Sequence, residues 1–461
     1  MITSSRTSAM RRRGGAAIAL STVLAVATAA GTGAAALAAP HGRLVQPSGP
    51  AGCIHPKPIA GCARARAING PGSVALSPDG RNAYVASFNS HAVAVFRRDR
   101  RTGALRQLPG KLGCVSHHGA GACGFGRALR APISVAVSPD GRNVYVAATG
   151  SDALSVFARN PRTGAIRQLV GMRGCISNFV GGGCVRGRAL NEPIAVEVSR
   201  DGRRVYVAAR ENPSAVSVFA RARDGSLAQA AGPGGCVSQD GRGGCTAARA
   251  MAAPWDIEVS SDSRNVYVAG SDSDSVAVLT RTPGGLAQRA DASGCVNPTS
   301  DEGCARIRAL RTPTGVALSP DGTTLYASGV DSDTVAILHR DRVSGALSQS
   351  PGAAACVGQS GAAGCKPARV LDGVHDAVVS PDGRNLYTVS EDIDAMSVFA
   401  RRADGSLSQL PGRWACFIKG GVLGCGLGRG LSPAIGVTAS RDGRSVYTDS
   451  YGALGIFRRL R

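Results

Sequence analysis

Four side chains that can exchange protons, Glu197, Asp256, Glu258 and His375, stand where most copies of a repeated segment carry small or apolar residues such as Ile133-Ser134. Carboxyl and imidazole groups act as general acids and bases when they are held against a substrate. The pattern therefore predicts candidate general acid and base groups at these four positions. The alternative interpretation is that a wet channel mouth tolerates polar side chains.

Four further polar or aromatic residues adjoin these positions, namely Trp255, Asp376, Asn191 and Glu192. A tryptophan ring offers a stacking surface for a ring-shaped ligand. Carboxylate and amide groups supply hydrogen-bond acceptors and donors. We therefore predict that these four residues contact a ligand.

Short acidic runs supply calcium candidates at Asp272, Asp274, Asp331 and Asp333. Carboxylate oxygens are the ligands that calcium prefers. Asp-Ser-Asp runs are also ordinary turn formers. No other cofactor is predicted, and the sequence lacks the Gly-x-Ser-x-Gly elbow of a serine hydrolase.

The elements that must position these residues are repeated. Fourteen cysteines form seven pairs with identical internal spacing, at intervals of about sixty residues. The pairs are Cys53-Cys62, Cys114-Cys123, Cys175-Cys184, Cys236-Cys245, Cys295-Cys304, Cys356-Cys365 and Cys416-Cys425. Such a period indicates one structural unit repeated seven times.

Each unit carries the pattern of four short strands. In the second unit, apolar or alternating runs cover residues 134–137, 143–147, 153–157 and 163–168, separated by Pro, Asp and Gly. This pattern predicts a four-stranded antiparallel meander. No sustained helical period follows the first 38 residues, so the chain is predicted to be all-β.

Seven four-stranded sheets in one chain predict a seven-bladed β-propeller rather than a β-solenoid, whose units are usually shorter. A glycine such as Gly103 opens the fourth strand eleven residues before each cysteine pair. The same spacing places Gly42 at the start of an N-terminal strand, 42–46, while the last unit ends after its third strand. We therefore expect the N-terminal strand to complete the last blade and close the ring, which removes two free sheet edges.

The motifs SPDGRNVYVA at 138–147 and SDALSVFARNPRTGAIRQL at 151–169 resemble the seven-bladed lactonase-like propellers and the related YVTN repeats. The resemblance runs from about Gly42 to Phe457. It implies a propeller fold. Because the superfamily includes 6-phosphogluconolactonases, muconate-lactonising enzymes and YVTN surface proteins, it also implies either a lactone substrate or a surface role. The cysteine loops depart from the family pattern, and no residue here aligns with a family catalytic residue.

Strand order assigns the connections to two faces. The cysteine loops and the turns after the second strands share one face, on which we expect the ligand to bind. The opposite face collects arginine, including Arg81, Arg98, Arg142, Arg159, Arg203, Arg221, Arg264, Arg340, Arg384, Arg401 and Arg444. These arginines predict docking of an anionic cell-wall polymer, with a solvated basic surface as the alternative. Aromatic residues do not interleave with them, so no specific nucleic-acid partner is predicted.

Residues 1–38 read as a signal peptide: Arg11 to Arg13, an apolar run at 16–30, and small residues up to a cleavage site after Ala38. Sec and Tat export both stay open. The net charge of +22 falls to +18 without the four arginines of this leader, which predicts adhesion to anionic surfaces. No other stretch is long enough to span a membrane.

An exported chain with an even number of cysteines is expected to form disulfides, here within each unit. Metal ligation is the alternative, but the chain has only seven histidines and none recurs beside the pairs. We predict a monomer, secreted or associated with the cell wall, whose residues 39–461 form a single domain.

Two functions remain open at this point. The first is an extracellular binding or surface-associated protein whose ligand face is formed by the disulfide loops. The second is a lactonase-like hydrolase that opens a lactone or sugar-lactone ring at the channel mouth. The sequence favours binding, because phosphorylated sugar lactones are cytosolic intermediates and this chain is predicted to be exported.

Overall fold

A computed structural model describes residues 41–179 and 182–460. The signal peptide predicted at residues 1–38 lies outside the described residues. The described residues form seven sheets, and the first strands of neighbouring sheets contact one another in a closed ring. The prediction of an all-β, seven-bladed propeller is confirmed. All helical segments in the described part are short 3-10 turns.

Three long antiparallel strands form the body of each blade, which we number 1 to 7 in chain order. The first strands are Pro71–Leu76, Pro132–Val137, Pro193–Val198, Pro254–Val259, Pro313–Leu318, Val374–Val379 and Ala434–Ala439. The second strands are Asn82–Ser87, Asn143–Ala148, Arg204–Ala209, Asn265–Gly270, Thr324–Gly329, Asn385–Ser390 and Ser445–Ser450. The third strands are Ala92–Arg98, Ala153–Arg159, Ala215–Arg221, Ser275–Thr282, Thr334–Arg340, Ala395–Arg401 and Ala453–Arg459.

The outer edge of each blade is more divided than a simple four-stranded meander. Two short strands pair with opposite ends of the third strand. The first set is Leu105–Gln107, Ile166–Gln168, Leu227–Gln229, Gly285–Gln288, Leu347–Ser348, Leu407–Gln409 and Leu44–Val45. The second set is Cys114–His117, Cys175–Ser177, Cys236–Gln239, Cys295–Asn297, Cys356–Gln359, Cys416–Ile418 and Cys53–His55.

A last short strand runs parallel to each of the cysteine strands. These strands are Gly124–Gly126, Val185–Arg186, Thr246–Ala248, Ala305–Arg306, Lys366–Ala368, Gly426–Leu427 and Ala63–Arg64. The 3-10 turns are Gly49–Ala51, Gly110–Gly113, Ala120–Ala122, Thr149–Ser151, Gly171–Gly174, Pro233–Gly235, Arg242–Gly244, Ala292–Gly294, Asp301–Gly303, Ala353–Ala355, Ala362–Gly364 and Gly412–Ala415.

All seven predicted disulfides are present. In blade 2, Cys175 lies opposite Ser155 of the third strand and is bonded to Cys184, which begins the return to the parallel strand. The first cysteine of each pair is fully buried. The disulfides therefore fix the outer edge of each blade, on the side remote from the channel.

The N-terminal segment closes the ring as predicted. Leu44 and Val45 pair with Arg459 and Arg458 at one end of the last third strand. The strand Cys53–His55 pairs with the other end of the same strand. Blade 7 is thus built from both ends of the described chain.

The same polar contact joins neighbouring blades at five of the seven described interfaces. The hydroxyl of Tyr84 in blade 1 donates to the carbonyl oxygen of Gly164 in blade 2 at 2.8 Å and accepts the Nε–H of Arg159 at 2.6 Å. Arg159 also pairs with the Asp79 carboxylate at 3.0 Å. Gly164 has φ +83°, and a Cβ there would lie 2.0 Å from the Asn82 side chain. This close approach explains why glycine opens the fourth strand.

The same contact corrects the prediction for part of the arginine face. Arg98, Arg159, Arg221, Arg340 and Arg401 lie between blades, with side chains between 0 and 6 % exposed. Each donates to a tyrosine hydroxyl of the neighbouring blade and pairs with its turn aspartate. Because a guanidinium has several N–H donors, it can bond the tyrosine hydroxyl and the aspartate at the same time. These arginines therefore hold neighbouring blades together rather than bind a polymer.

The hydrophobic core is divided among the blade interfaces. Tyr145 and Val156 of blade 2, for example, pack with Val196, Val205 and Phe219 of blade 3 in one buried cluster. Successive side chains of a strand point to opposite faces of the sheet. Alternate residues therefore contact one neighbouring blade, and the residues between them contact the other. The core thus leaves the channel-facing side of the first strands free for polar residues.

Candidate functional site

A cavity of about 240 Å³ lies at the mouth of the channel. Its lining includes Trp255, Asp256, His375, Asp376, Asp449 and Tyr451, all on first strands or at the end of the second strand of blade 7. The structure therefore brings Asp256 and His375 together, as predicted. Glu197 and Glu258 are not among the lining residues. The cysteine loops do not line this cavity either, because the disulfides hold them at the outer edge of the blades.

Trp255 is held from two sides at this mouth. The guanidinium of Arg210 lies 5.0 Å from the centre of the indole, and the His375 ring lies 5.8 Å away in an edge-on orientation. Glu192 holds Arg210 through an ion pair of 2.8 Å. Glu192, predicted to contact a ligand, thus acts on the indole through Arg210. These contacts orient the indole without a ligand.

Asn191, the remaining predicted ligand contact, belongs to the loop that enters blade 3. Its side-chain amide donates to the carbonyl oxygen of Asn212 at 2.6 Å and its Oδ1 accepts from Asn178. Asn191 is not among the residues that line the cavity. Its contacts join the loop that enters blade 3 to the cysteine segment of blade 2 and to the loop after the second strand of blade 3.

His375 is a neutral imidazole at pH 7. Burial lowers the pKa of His375 to about 4, and a hydrogen bond with the Ile435 backbone opposes the shift only partly. Its Nδ1 is buried and has no hydrogen-bond partner among the described residues. A neutral imidazole can take up a proton, which makes His375 a candidate base at this cavity.

Asp256 and Asp376 bridge neighbouring blades. One oxygen of Asp256 accepts the N–H of Val316 in blade 5 at 3.0 Å, and one oxygen of Asp376 accepts the N–H of Val437 in blade 7 at 2.9 Å. The other oxygen of each accepts the N–H of the residue that follows it. Each carboxyl group is therefore already engaged by two backbone donors.

Serine makes the same bridge in two other blades. Ser134 of blade 2 accepts the N–H of Val196 at 3.1 Å, and Ser73 of blade 1 accepts that of Val135 at 3.4 Å. Asp256 and Asp376 occupy the corresponding strand positions and accept the equivalent backbone N–H of the next blade. Their presence at the mouth is thus explained in part by blade assembly.

The two aspartates differ from the serines in their ionisation. Burial raises the pKa of Asp256, and the nearby Asp376 carboxyl raises it further, against the lowering effect of the backbone donors. Burial likewise raises the pKa of Asp376, with Asp449 adding to the effect. Proton sharing among these carboxyls gives the cavity hydrogen-bond donors as well as acceptors.

Asp449 is a site residue that sequence comparison of the first strands missed. It lies opposite Gly436 on the second strand of blade 7, and a Cβ at Gly436 would lie 2.5 Å from its Oδ2. Asp449 is 2 % exposed, and burial raises its pKa to about 7. The corresponding residues in blades 1 and 2 are Ala86 and Ala147. The same comparison of copies, applied to second strands, would have found it.

Glu197 and Glu258 belong to a deeper charged layer. Glu258 lies 3.6 Å from the guanidinium of Arg200, and its side chain keeps 21 % exposure to the channel. Burial raises the pKa of both glutamates, opposed by Arg200 and, for Glu197, by Arg441. These arginines occupy the turn position at which blade 1 has Pro78. The four predicted catalytic residues are thus divided between the cavity and this layer.

The acidic runs considered for calcium also link blades. Asp274 accepts the N–H of Thr312 at 2.7 Å, Asp333 accepts that of Gly373 at 2.9 Å, and Asp331 accepts the Thr312 hydroxyl at 2.7 Å. The backbone N–H of Asp272 donates to the preceding loop of its own blade. Within residues 41–179 and 182–460, no group of three or more His, Cys, Asp or Glu side chains is arranged to hold a metal ion. Turn and linker chemistry accounts for these aspartates.

Several solved structures share this architecture. Proteins from Bacteroides fragilis and Bacteroides uniformis that carry the provisional name 6-phosphogluconolactonase match with TM-scores of 0.51 and 0.50, at 19 % and 20 % identity. The matches cover 75 % and 76 % of this chain and 84 % and 86 % of those chains. This chain has the fold of the lactonase-like seven-bladed propellers.

The resemblance found in the repeated motifs is therefore confirmed for the fold. A Lactobacillus plantarum protein matches similarly, with a TM-score of 0.51 and 19 % identity over 74 % of this chain and 84 % of that one. No protein-family model matches the chain. A search of the curated proteins gives no significant match. The lactonase-like propeller fold carries many functions, so the site residues must carry the functional argument.

Proposed function

We propose that this propeller binds a small polar ring, a sugar or a sugar lactone, at the channel mouth. The observation that carries the proposal is the Trp255 indole, fixed between Arg210 and His375 beside a cavity lined by three carboxyl groups. An indole face stacks on a sugar ring, while carboxyl groups bond its hydroxyls. The cavity volume suits one ring rather than a chain of them.

Fluorescence titration tests this binding directly. The chain has two tryptophans, so Trp414→Phe leaves Trp255 as the sole indole reporter. Trp414 lies against Arg43 and Arg413, away from the cavity residues. We expect a saturable change in Trp255 emission with members of a panel of sugars and sugar lactones, and loss of binding in Trp255→Ala measured by calorimetry. A panel with no saturable response in either method would overturn the proposal.

Hydrolysis of a lactone at the same mouth is the second candidate, because His375 offers a neutral imidazole with an unused nitrogen. In this reaction His375 would take a proton from water as the water adds to the ester carbonyl, and would return that proton to the ring oxygen, which leaves as an alcohol. Asp256 and Asp376 would hold ring hydroxyls. Turnover that survives in His375→Gln would exclude this assignment.

We propose an extracellular location for the same protein. Seven disulfides in one chain favour an oxidising compartment. No helix among the described residues is long and apolar enough to cross a membrane. Fractionation of cells that express the full chain, with detection of the processed N-terminus by mass spectrometry, tests both export and cleavage after Ala38. Light scattering of the purified protein tests the expected monomer.

The exposed remainder of the arginine face supports the proposal of an anionic cell-wall polymer as a second partner. Turn arginines are exposed in six of the seven blades, at Arg81, Arg142, Arg203, Arg264, Arg384 and Arg444. Blade 5 has Thr323 instead. Charge reversal at Arg142 and Arg203 should weaken retention on an anionic polymer and reduce its salt dependence. Retention that is unchanged would remove this partner.

A further inference from the structure

The exposed apolar side chains of the described residues are concentrated in one part of the molecule. Of the twelve large apolar residues at its surface, all but Val343 lie on the four consecutive blades 6, 7, 1 and 2. Representative members are Ile59, Leu112, Phe125 and Val170, each about half exposed or more. We call the exposed apolar residues on the cysteine segments of these four blades the apolar sector. A concentration of this kind marks an interaction surface.

The seven cysteine segments are otherwise built alike, so this difference is not demanded by the fold. The segments of blades 3, 4 and 5 carry no exposed large apolar residue among the described residues. Blade 3 has Asp240 and blade 4 has Asp301 and Glu302 in the corresponding loops. The apolar sector is therefore a property of particular copies, as a binding function would require.

Charge accompanies the apolar side chains. The segments 412–429, 48–66, 109–127 and 170–188 contain lysine and arginine but no aspartate or glutamate. Lys57 and Lys111 are exposed next to Ile59 and Leu112. A surface that is both apolar and basic fits a partner that is both apolar and anionic.

Two grooves cross blade boundaries beside residues of the sector. The larger, of about 1210 Å³, is lined by residues of blades 7 and 1, among them the buried Ile54, Leu112 of the sector, Arg64 and Arg106, and it extends past Asp99 to Arg162 of blade 2. A second groove of about 410 Å³ lies between blades 1 and 2, lined in part by Phe125, Ile166, Val170 and Arg127. Phe125 of blade 1 and Val170 of blade 2 therefore belong to one surface.

We propose that the apolar sector docks the protein on an anionic lipid bilayer. The apolar side chains stand on separate loops, each beside a basic residue, which suits shallow insertion between lipid headgroups. The disulfides and the Arg127 guanidinium, which donates to the carbonyl oxygen of Gly171 across the blade boundary, hold these loops in place before binding. A second copy of the chain is disfavoured as the occupant, because two basic faces repel each other.

Vesicle sedimentation tests the proposal with the full purified protein. We expect binding to vesicles that contain phosphatidylglycerol, and much weaker binding to pure phosphatidylcholine. The variant Leu112→Ser/Phe125→Ser/Val170→Ser should lose roughly tenfold or more in vesicle affinity. Val343→Ser, which removes an exposed apolar residue on a blade outside the sector, should bind as the parent protein does.

The contribution of charge to vesicle binding is tested by two matched double variants. Lys57→Glu/Lys111→Glu should weaken binding to the anionic vesicles more than Arg142→Glu/Arg203→Glu, since the latter arginines lie on the opposite face. A second readout keeps the apolar contacts. In a Trp255→Phe/Trp414→Phe background, the emission of Phe125→Trp should be quenched by brominated lipids, and the emission of Val343→Trp should not.

Four results would overturn the proposal. They are absence of vesicle binding by the parent protein, equal binding to neutral and anionic vesicles, equal affinity of the triple variant and the parent, and equal quenching of Trp at 125 and 343. If the triple variant instead converts an oligomer into a monomer in light scattering, the sector joins copies of this chain and the lipid assignment is wrong.

Discussion

The Asp376 carboxylate accepts the backbone N–H of Val437 across a blade boundary at 2.9 Å. Ser134 makes the same contact with Val196 in blade 2. An acid that sequence comparison predicts to contact a ligand is therefore also part of the bond pattern that assembles the ring. A substitution at this position affects binding and stability separately, and the two can be measured apart.

Asp376→Ser should leave the free energy of unfolding nearly unchanged, because the serine hydroxyl can accept the Val437 N–H as Ser134 accepts that of Val196. Asp376→Ala should lower it by about 1 kcal/mol, since a buried donor loses its acceptor. Denaturant midpoints compare the two variants. Equal midpoints for serine and alanine would show that the bridge contributes nothing.

Arg159→Ala should lower the free energy of unfolding by about 2 to 4 kcal/mol, because it leaves a buried tyrosine hydroxyl and an aspartate without their partner. Arg281→Ala is the matched control. The Arg281 side chain is 22 % exposed against 1 % for Arg159, and the Tyr206 hydroxyl of that interface is already buried without a hydrogen-bond partner among the described residues. We expect a cost below about 1 kcal/mol there. Similar losses in both variants would contradict the role assigned to Arg159.

The pair Gly436 and Asp449 should make stability fall as pH rises. The pKa of Asp449 is about 7 in the folded protein and 3.8 as its ordinary value. The folded state therefore keeps a proton that the unfolded chain releases, and stability is lost between about pH 4 and pH 7. The double variant Gly436→Ser/Asp449→Ala restores the serine and alanine of blade 2, and should raise the free energy of unfolding at pH 8 by at most about 4 kcal/mol.

Unfolding curves at pH 5 and pH 8 measure this effect, with the exposed Asp301→Ala as the control. The double variant should show a smaller difference between the two pH values than the parent protein. If comparison with the double variant shows that the pair makes the parent protein more stable at pH 8 than at pH 5, the pH dependence has the opposite sign. That result would refute the assignment.

His375 should stay neutral down to about pH 4, because burial opposes the charged imidazolium. Its ring resonances, assigned by comparison with His375→Gln, should titrate well below the ordinary histidine range in NMR. If lactone turnover is found, His375→Gln should lower it at least a hundredfold. In the parent protein, titration of His375 should cause no change in the turnover rate between pH 5 and pH 8. Titration of His375 near pH 6.5 would show that the ring is solvated.

Much of this structure could be predicted because its sequence is repeated. The cysteine spacing predicted seven units, and the spacing from Gly42 to Cys53 predicted the closure of blade 7. Residues that differ between copies led to Trp255, Asp256 and His375, which do line one cavity. The blade number and the ring closure could be predicted because each depends on contacts within one unit or on the order of units.

The sequence by itself determined the number of blades, the strand order and the disulfide partners. Only the tertiary structure decided which polar side chains remain available to a ligand or partner. Arg159 is bonded to Tyr84 in the preceding blade, and Asp256 accepts the N–H of Val316 in the next. The physical reason is that blade interfaces bring together residues about sixty to eighty positions apart, so hydrogen bonding and burial there depend on neighbours that no single repeat contains.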